Sequence, residues 1–156
     1  MKSDYERALL AAQHYIAYAS RSEDEVRRRL QRSGYDPEVI ETVLERLAQS
    51  AWTDDKRLAQ DWVESRFRSH GIGRRRLTEE LRRKGIAVDS IAEATGSISD
   101  SEEIERAVSL VKHRWLTLNL EDRTQQRQII AFLQRRGYEW EIIEQVIGEL
   151  ASNNTF

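Results

Sequence analysis

The sequence predicts an all-α protein made of three tandem three-helix repeats that stack into an elongated, solenoid-like array of right-handed helices. One six-residue pattern recurs at a spacing of about fifty residues, as expected for such arrays. It reads Leu30–Tyr35, then Leu81–Ile86, then Leu133–Tyr138. A single proline in 156 residues also favours helix. The expected repeats cover residues 1–52, 53–98 and 99–156.

The first repeat begins with apolar residues at helical spacing, which predict a helix over about residues 3–19. Ser22 followed three positions later by Glu25 is a capping box, and it predicts the start of a second helix. This helix is expected to run to about Ser33, where Gly34 supplies the left-handed exit.

The third helix of this repeat is expected to start at Asp36-Pro37, because Asp is a good N-cap and Pro suits the first helical position. Asp54 is the expected N-cap that opens the second repeat. Its other two helices are expected over about residues 73–84 and 88–98.

The third repeat opens with another capping pattern, Ser99–Glu102. The segment Thr117–Leu120 predicts a longer break than its counterparts, and the eighth helix is expected near residues 121–136. The ninth helix carries apolar residues at helical spacing from Trp140 to Leu150. All four tryptophans lie among aliphatic residues, which favours packing in the core or between repeats over base stacking.

Composition excludes several classes of protein. The chain contains no cysteine, so it has neither disulfides nor cysteine-ligated metals. No stretch approaches the roughly 18 apolar residues of a membrane span, and Met1–Arg7 lacks the apolar region of a secretory signal. We therefore expect a cytoplasmic protein.

No constellation of residues indicates catalysis, a metal or a cofactor. Asp54 and Asp55 diverge by about 100° on a helix, so we interpret them as an N-cap and a first-turn residue. The segment His70–Gly73 lacks the Lys-Ser/Thr sequel of a phosphate loop, and it is expected to be a turn between helices. The helix that follows it can hold a phosphate or a carboxylate at its basic N-terminus. The three histidines, one in each repeat, show no metal-type spacing: His14, His70 and His113.

Charge is segregated by helix type, although the net charge is only −2. The second helix of each repeat is basic and the third is acidic, which creates local potential that the net charge hides. Arg32, Arg83 and Arg135 occupy the same outward position in the three repeats. A surface for an anionic partner explains this recurrence better than a solvated face with i,i+4 pairs such as Arg75–Glu79. The candidate contact residues are Arg28, Arg32, Arg74, Arg75, Arg76, Arg82, Arg83, Arg127 and Arg135.

The middle repeat resembles a known family. It reads Asp54-Asp55-x-x-Leu58-Ala59-x-x-Trp62-Val63-x-x-Arg66, then Gly73-x-x-Arg76-Leu77-x-x-Glu80-Leu81-x-x-Lys84-Gly85-Ile86. This pattern is similar to that of the bacterial RecX regulatory proteins. Looser similarities lie in the first repeat, at Arg21-Ser22-x-x-Glu25-Val26-x-x-x-Leu30, and in the third, at Phe132-Leu133-x-Arg135-Arg136-Gly137-Tyr138.

The resemblance implies a curved, monomeric array of three-helix repeats that modulates the RecA recombinase. The expected partner is the RecA–DNA nucleoprotein filament, with the protein lodged along its groove. The expected effect is restraint of filament growth, ATP hydrolysis, strand exchange and repressor cleavage. Two alternatives stay open at this point: a module that binds single- or double-stranded DNA directly through phosphates, and a helical scaffold without preference for filaments.

Overall fold

The computed structural model describes residues 1–153, which form nine α-helices and no strand. This confirms the all-α prediction of three successive groups of three helices. The helices are α1 (Asp4–Tyr18), α2 (Glu23–Arg32), α3 (Pro37–Gln49), α4 (Asp55–His70), α5 (Arg74–Arg83), α6 (Val88–Gly96), α7 (Asp100–Arg114), α8 (Arg123–Arg135) and α9 (Trp140–Asn153).

Side-chain caps fix most of the predicted helix starts. Ser22 and Glu25 form the full capping box that opens α2, and the Ser99 hydroxyl accepts from the Glu102 amide at the start of α7. Asp54 accepts from the Arg57 amide at 3.1 Å, as its N-cap role requires. Asp36 precedes α3 as expected, but its side chain makes no capping hydrogen bond.

The recurring six-residue pattern is a helix C-cap of the Schellman type. Gly34, Gly85 and Gly137 have φ angles of +87°, +77° and +91°, which glycine adopts without a Cβ penalty. After each glycine, the next backbone N–H donates to the carbonyl of the repeated leucine, at 3.1–3.3 Å in the three copies. The sequence repeat is therefore a repeat of helix endings, and it positions the arginine that lies two residues before each glycine, which is Arg32, Arg83 or Arg135.

The helices pack into two compact units. The first comprises Met1–Asp61 and Leu81–Ile91, and the second comprises Trp62–Glu80 and the chain from Ala92 onward. The middle repeat thus contributes to both units, whereas the repeat boundaries drawn from the sequence stay a prediction. The core of the first unit contains Ala8, Ala12, Val26, Leu30, Ile40, Val43, Leu44 and Leu47. The core of the second contains Ala107, Val111, Ile129, Leu133, Tyr138, Ile143, Val146 and Leu150.

Two of the four tryptophans do not lie in the core, so for these two the core option of the prediction is wrong. Trp115 packs against the core of the second unit, but Trp52 and Trp140 are 43% and 48% exposed. Trp52 lies in the turn after α3, and Trp140 is the first residue of α9. Helical spacing does not place a side chain in the core when the residue lies outside a helix or in its first turn.

Candidate partner-binding surfaces

The nine candidate arginines fall into two groups with different surroundings. Arg28, Arg32, Arg82 and Arg83 belong to the first compact unit. The arginines at the start of α5 and on α8 belong to the second. A side chain that already bonds within its own unit is less available to a partner than a side chain that does not.

The N-terminus of α5 already holds a carboxylate from the chain itself. Glu103 is fully buried, and its two oxygens accept from the Arg74 backbone N–H at 3.0 Å and from Arg74 Nε at 2.5 Å. Asp100 also pairs with the Arg74 guanidinium. Burial lowers the pKa of Arg74, but the hydrogen bonds to Asp100 and Glu103 outweigh it and raise the pKa above its usual value. The sequence predicted that this helix start can hold an anion. In the structure it holds the Glu103 carboxylate of the same chain.

Arg75 and Arg76 are also used within the second unit. Arg75 donates to the Gln134 carbonyl at 2.6 Å and pairs with Glu79 at 3.0 Å, as one of the predicted i,i+4 pairs. Arg76 donates to the Arg135 carbonyl at 3.2 Å. These side chains hold the end of α8 to the start of α5. Their part in binding a partner stays a prediction.

Backbone contacts complete this arrangement, which we call the α5–α8 junction. The Gly73 N–H donates to the Arg136 carbonyl at 2.8 Å, and the Arg75 N–H donates to the Gly137 carbonyl at 3.1 Å. The buried Tyr138 hydroxyl donates to the Gly71 carbonyl at 2.9 Å. The partly positive start of one helix therefore meets the partly negative end of another, which is electrostatically favourable.

The same meeting of helix ends occurs in the first unit, at what we call the α2–α5 junction. Here the Ser22 hydroxyl donates to the Lys84 carbonyl, and Lys84 Nζ pairs with Glu25 at 2.8 Å. Burial raises the pKa of Glu25, but hydrogen bonds from Lys84 and from the Ser22 amide outweigh it, so the pKa lies below its usual value. The Arg28 guanidinium donates to the Arg83 carbonyl at 3.1 Å.

A cavity of about 500 Å³ lies beside the α2–α5 junction and gathers three of the candidate arginines. The guanidinium groups of Arg32 and Arg83 form no hydrogen bond or ion pair with any of residues 1–153. Arg28 is fixed by Asp24 at 3.1 Å. The lining residues are Tyr15, Glu25, Arg28, Gln31, Arg32 and Arg83.

A second cavity, of about 440 Å³, lies in the second unit and contains Arg135. Its wall is Trp115, whose ring meets that of Phe132 edge to face at a centroid distance of 5.4 Å. The Arg114 guanidinium lies over both rings, at 5.3 and 5.2 Å. The guanidinium groups of Arg135 and Arg127 have no partner among the described residues. Arg127 does not line the cavity. The other lining residues are Gln128 and Ala131.

Sequence reasoning missed Tyr15 and Arg114 as lining residues. Each lies in the last turns of the first helix of its repeat, α1 or α7. The charge segregation lies on the second and third helices, so it gave no signal for these two positions.

Two further features, a metal cluster and a membrane-spanning helix, are absent from the described part of the chain. Within residues 1–153, no group of three or more His, Asp or Glu side chains is arranged to hold a metal ion. None of the helices there is long and apolar enough to cross a bilayer.

These features place the chain in the class of helical-repeat proteins. Family models match it in three consecutive segments: the first, second and third three-helix domains of RecX match residues 8–47, 54–94 and 100–147. The regulatory protein RecX of Amycolatopsis mediterranei (strain U-32) is 34% identical, over 93% of this chain and 83% of the relative. That of Mycobacterium leprae (strain Br4923) is 35% identical, over 94% and 88%. The chain belongs to the RecX family of regulatory proteins.

Solved structures agree on the fold. The crystal structure of RecX from Lactobacillus salivarius superposes with a TM-score of 0.83 at 24% identity, and the match covers 95% of this chain and 97% of that one. A second crystal structure, of a regulatory protein RecX, gives a TM-score of 0.77 at 20% identity, over 92% and 71% of the two chains.

Proposed function

We propose that this chain acts in the cytoplasm as a monomeric, non-enzymatic modulator of the RecA recombinase. In this proposal it binds along the groove of the RecA–DNA filament and restrains filament growth, ATP hydrolysis, strand exchange and coprotease activity. Its membership of a family of regulatory proteins supports a regulatory role.

One observation carries the choice of a filament as the partner. Arg32, Arg83 and Arg135 occupy the same position in three successive repeats, and their guanidinium groups lack a partner within residues 1–153. A filament offers the same contact on every subunit, so equivalent arginines can meet equivalent acceptors. Avidity then multiplies contacts that are individually weak.

A direct DNA-binding module is the second candidate. The placement of Arg114 over Trp115, close to the unpaired Arg135, favours it. Aromatic rings with neighbouring cations are the usual platform for single-stranded nucleic acid. Such a module would bind bare DNA with a steep dependence on salt concentration.

Co-sedimentation with preformed RecA–DNA filaments tests the proposal, with the same DNA free of RecA as the control. The informative variant carries Arg32→Glu, Arg83→Glu and Arg135→Glu. A matched control carries Lys2→Glu, Arg46→Glu and Lys112→Glu, which change the charge equally at other exposed positions. We expect the first variant to lose filament binding and restraint of ATP hydrolysis, most strongly at low salt. Equal binding of wild type to bare DNA would favour the second candidate, and equal losses in both variants would refute a specific role for these arginines.

A further inference from the structure

We propose that the two arginine-containing cavities are equivalent receptor sites for acidic side chains of a protein partner, each accepting a carboxylate together with part of its aliphatic stem. The inference deepens the proposed function, because it assigns the contacts to carboxylates on the protein component of the filament rather than to DNA phosphates.

The two cavities occupy the same place in the first and third repeats. The register that aligns Leu30 with Leu133 superposes Glu25, Arg28 and Arg32 on Gln128, Ala131 and Arg135. All six of these residues line their respective cavities. In both repeats the remaining wall includes a residue from the last turns of the first helix. Two unrelated surface depressions would not be expected to be lined by residues at equivalent positions of two repeats.

The equivalent positions of the middle repeat are Arg76, Glu79 and Arg83. Arg76 is bound to the Arg135 carbonyl and to Glu80, and Glu79 is paired with Arg75. Arg83 is the exception, and it lines the cavity of the first unit beside Arg32. In the middle repeat, Arg76 and Glu79 thus make contacts within the fold, whereas the unpaired guanidinium of Arg83 lines the first cavity.

The first cavity presents uncompensated positive charge despite the carboxylate in its lining. Glu25 is already paired with Lys84 at 2.8 Å and with Arg21 at 3.5 Å. Among the described residues, the guanidinium groups of Arg32 and Arg83 have no acceptor. Unpaired guanidinium groups in a concave site favour a bidentate anion.

Two other arginines hold Tyr15, the aromatic wall of the first cavity, in place. The Arg21 guanidinium lies 4.3 Å from the centre of the Tyr15 ring, and that of Arg29 lies 5.5 Å from it. Such cation–π contacts fix the ring, which can then pack on the aliphatic stem of a glutamate or aspartate. The second cavity replaces Arg28 by Ala131, so it should bind the same ligand more weakly.

Carboxylates on a protein suit these cavities better than the phosphates of bare DNA. Binding to nucleic acid gains its strength from many phosphates neutralised together, whereas each cavity groups only a few cations in a recess. The chain carries a net charge of −2, and its third helices add exposed acidic side chains such as Glu38 and Glu45, which repel a polyanion. Arginines beside aromatic rings in a pocket are instead the usual anchor points of protein–protein contacts.

The test titrates isotope-labelled protein with two probes of equal charge, a short polyglutamate peptide and a thymidine oligonucleotide, and follows the arginine Nε–H signals by NMR. We expect polyglutamate to shift the signals of Arg28, Arg32 and Arg83, and we expect the Arg32→Gln/Arg83→Gln variant to bind it about tenfold more weakly. The control, Lys2→Gln/Arg46→Gln, loses the same charge outside the cavities and should bind like wild type.

Three results would overturn the proposal: no shift with polyglutamate, equal weakening in the control, or stronger binding of the oligonucleotide through these same arginines. Arg32→Lys keeps the charge without the planar fork and should give an intermediate loss, which guards against a variant that misfolds. Sedimentation of wild type with filaments is measured separately. Its failure would defeat the proposed function and leave the peptide result standing.

Discussion

The α2–α5 and α5–α8 junctions join the same positions of successive repeats, but they do so with different chemistry. The α5–α8 junction uses direct backbone hydrogen bonds and the fully buried Glu103. The α2–α5 junction uses the Ser22 side chain and the Lys84–Glu25 ion pair, whose members are 16% and 14% exposed. The two junctions therefore bring the same helix ends together, but they differ in which backbone and side-chain groups make the hydrogen bonds.

The difference between the junctions affects which arginine side chains of α5 can contact a partner. The side chains of Arg74, Arg75 and Arg76, at the start of α5, are bonded within the second unit. The guanidinium groups of Arg82 and Arg83, at its end, have no partner among the described residues. We therefore expect the end of this basic helix to contribute more to partner binding than its start.

The largest effect should come from Gly137→Ala. A Cβ there would lie 2.6 Å from the Arg76 backbone nitrogen, and φ is +91°. We expect a loss of about 4 kcal/mol, combining the left-handed backbone penalty with overpacking. The matched control is Gly34→Ala, where φ is +87° and the space is open, and the expected loss is about 1 kcal/mol. Urea unfolding measures both, and equal losses would mean that the close approach at the α5–α8 junction does not matter.

Removal of the buried carboxylate should come next. Glu103→Ala removes a fully buried carboxylate, and we expect a loss of about 3 kcal/mol because the Arg74 backbone N–H and Nε both lose a charged acceptor. Glu25→Ala at the α2–α5 junction should cost about 1 kcal/mol, since the Glu25 side chain is 14% exposed whereas that of Glu103 is fully buried. A larger loss in the Glu25 variant by thermal or urea unfolding would reverse our ranking of the two junctions.

Most of the fold could be predicted from the sequence because its signals are local. A capping box or a Schellman glycine specifies a helix end within a few residues, which is why the helices match to within one or two positions. The eighth helix begins at Arg123, after the Asp122 cap, rather than near residue 121. The sixth ends at Gly96 rather than near residue 98.

The candidate surfaces were less predictable, since they depend on contacts between residues far apart in the chain. Helical periodicity shows that Arg75 and Arg83 point outward, but it cannot show that Arg75 reaches the Gln134 carbonyl while Arg83 reaches nothing. Glu103 was likewise assigned no role from the sequence. Its position one and two turns before the buried Ala107 and Val111 was the available signal that it faces the core.

Acid should act on the α2–α5 junction in two opposite ways. The pKa of Glu25 is lowered in the folded state, so the stability it adds is present above its ordinary pKa and is lost as pH falls through the folded value. Burial raises the pKa of Asp55, although its hydrogen bond from the Glu23 amide opposes this, so its contribution is present at low pH and is lost as pH rises through the raised value.

The Glu25→Gln variant should therefore lose about 1 kcal/mol at pH 7 and become more resistant to acid than wild type. Asp55→Asn should show the reverse, with steeper loss of stability below pH 5. Urea midpoints measured between pH 3 and 7 separate the two contributions. Parallel pH profiles for wild type and both variants would exclude these carboxylates as the source of acid sensitivity at this junction.

The smallest effect compares the two halves of α5. Arg75→Gln removes a hydrogen bond to the Gln134 carbonyl and the pairing with Glu79, but the side chain is 40% exposed, so we expect a loss of only about 0.5 kcal/mol. Arg82→Gln removes the same charge where nothing is bonded, and its stability should stay within about 0.2 kcal/mol of wild type because exposed substitutions rarely matter. Urea midpoints at fixed slope resolve the pair if both are measured in one series. The same two variants should rank oppositely in filament binding, because the Arg82 guanidinium is unbonded among the described residues whereas that of Arg75 is already bonded. If Arg75→Gln weakened binding more than Arg82→Gln without a difference in stability, the start of α5 would be a binding element, and our expectation for the two halves of this helix would be wrong.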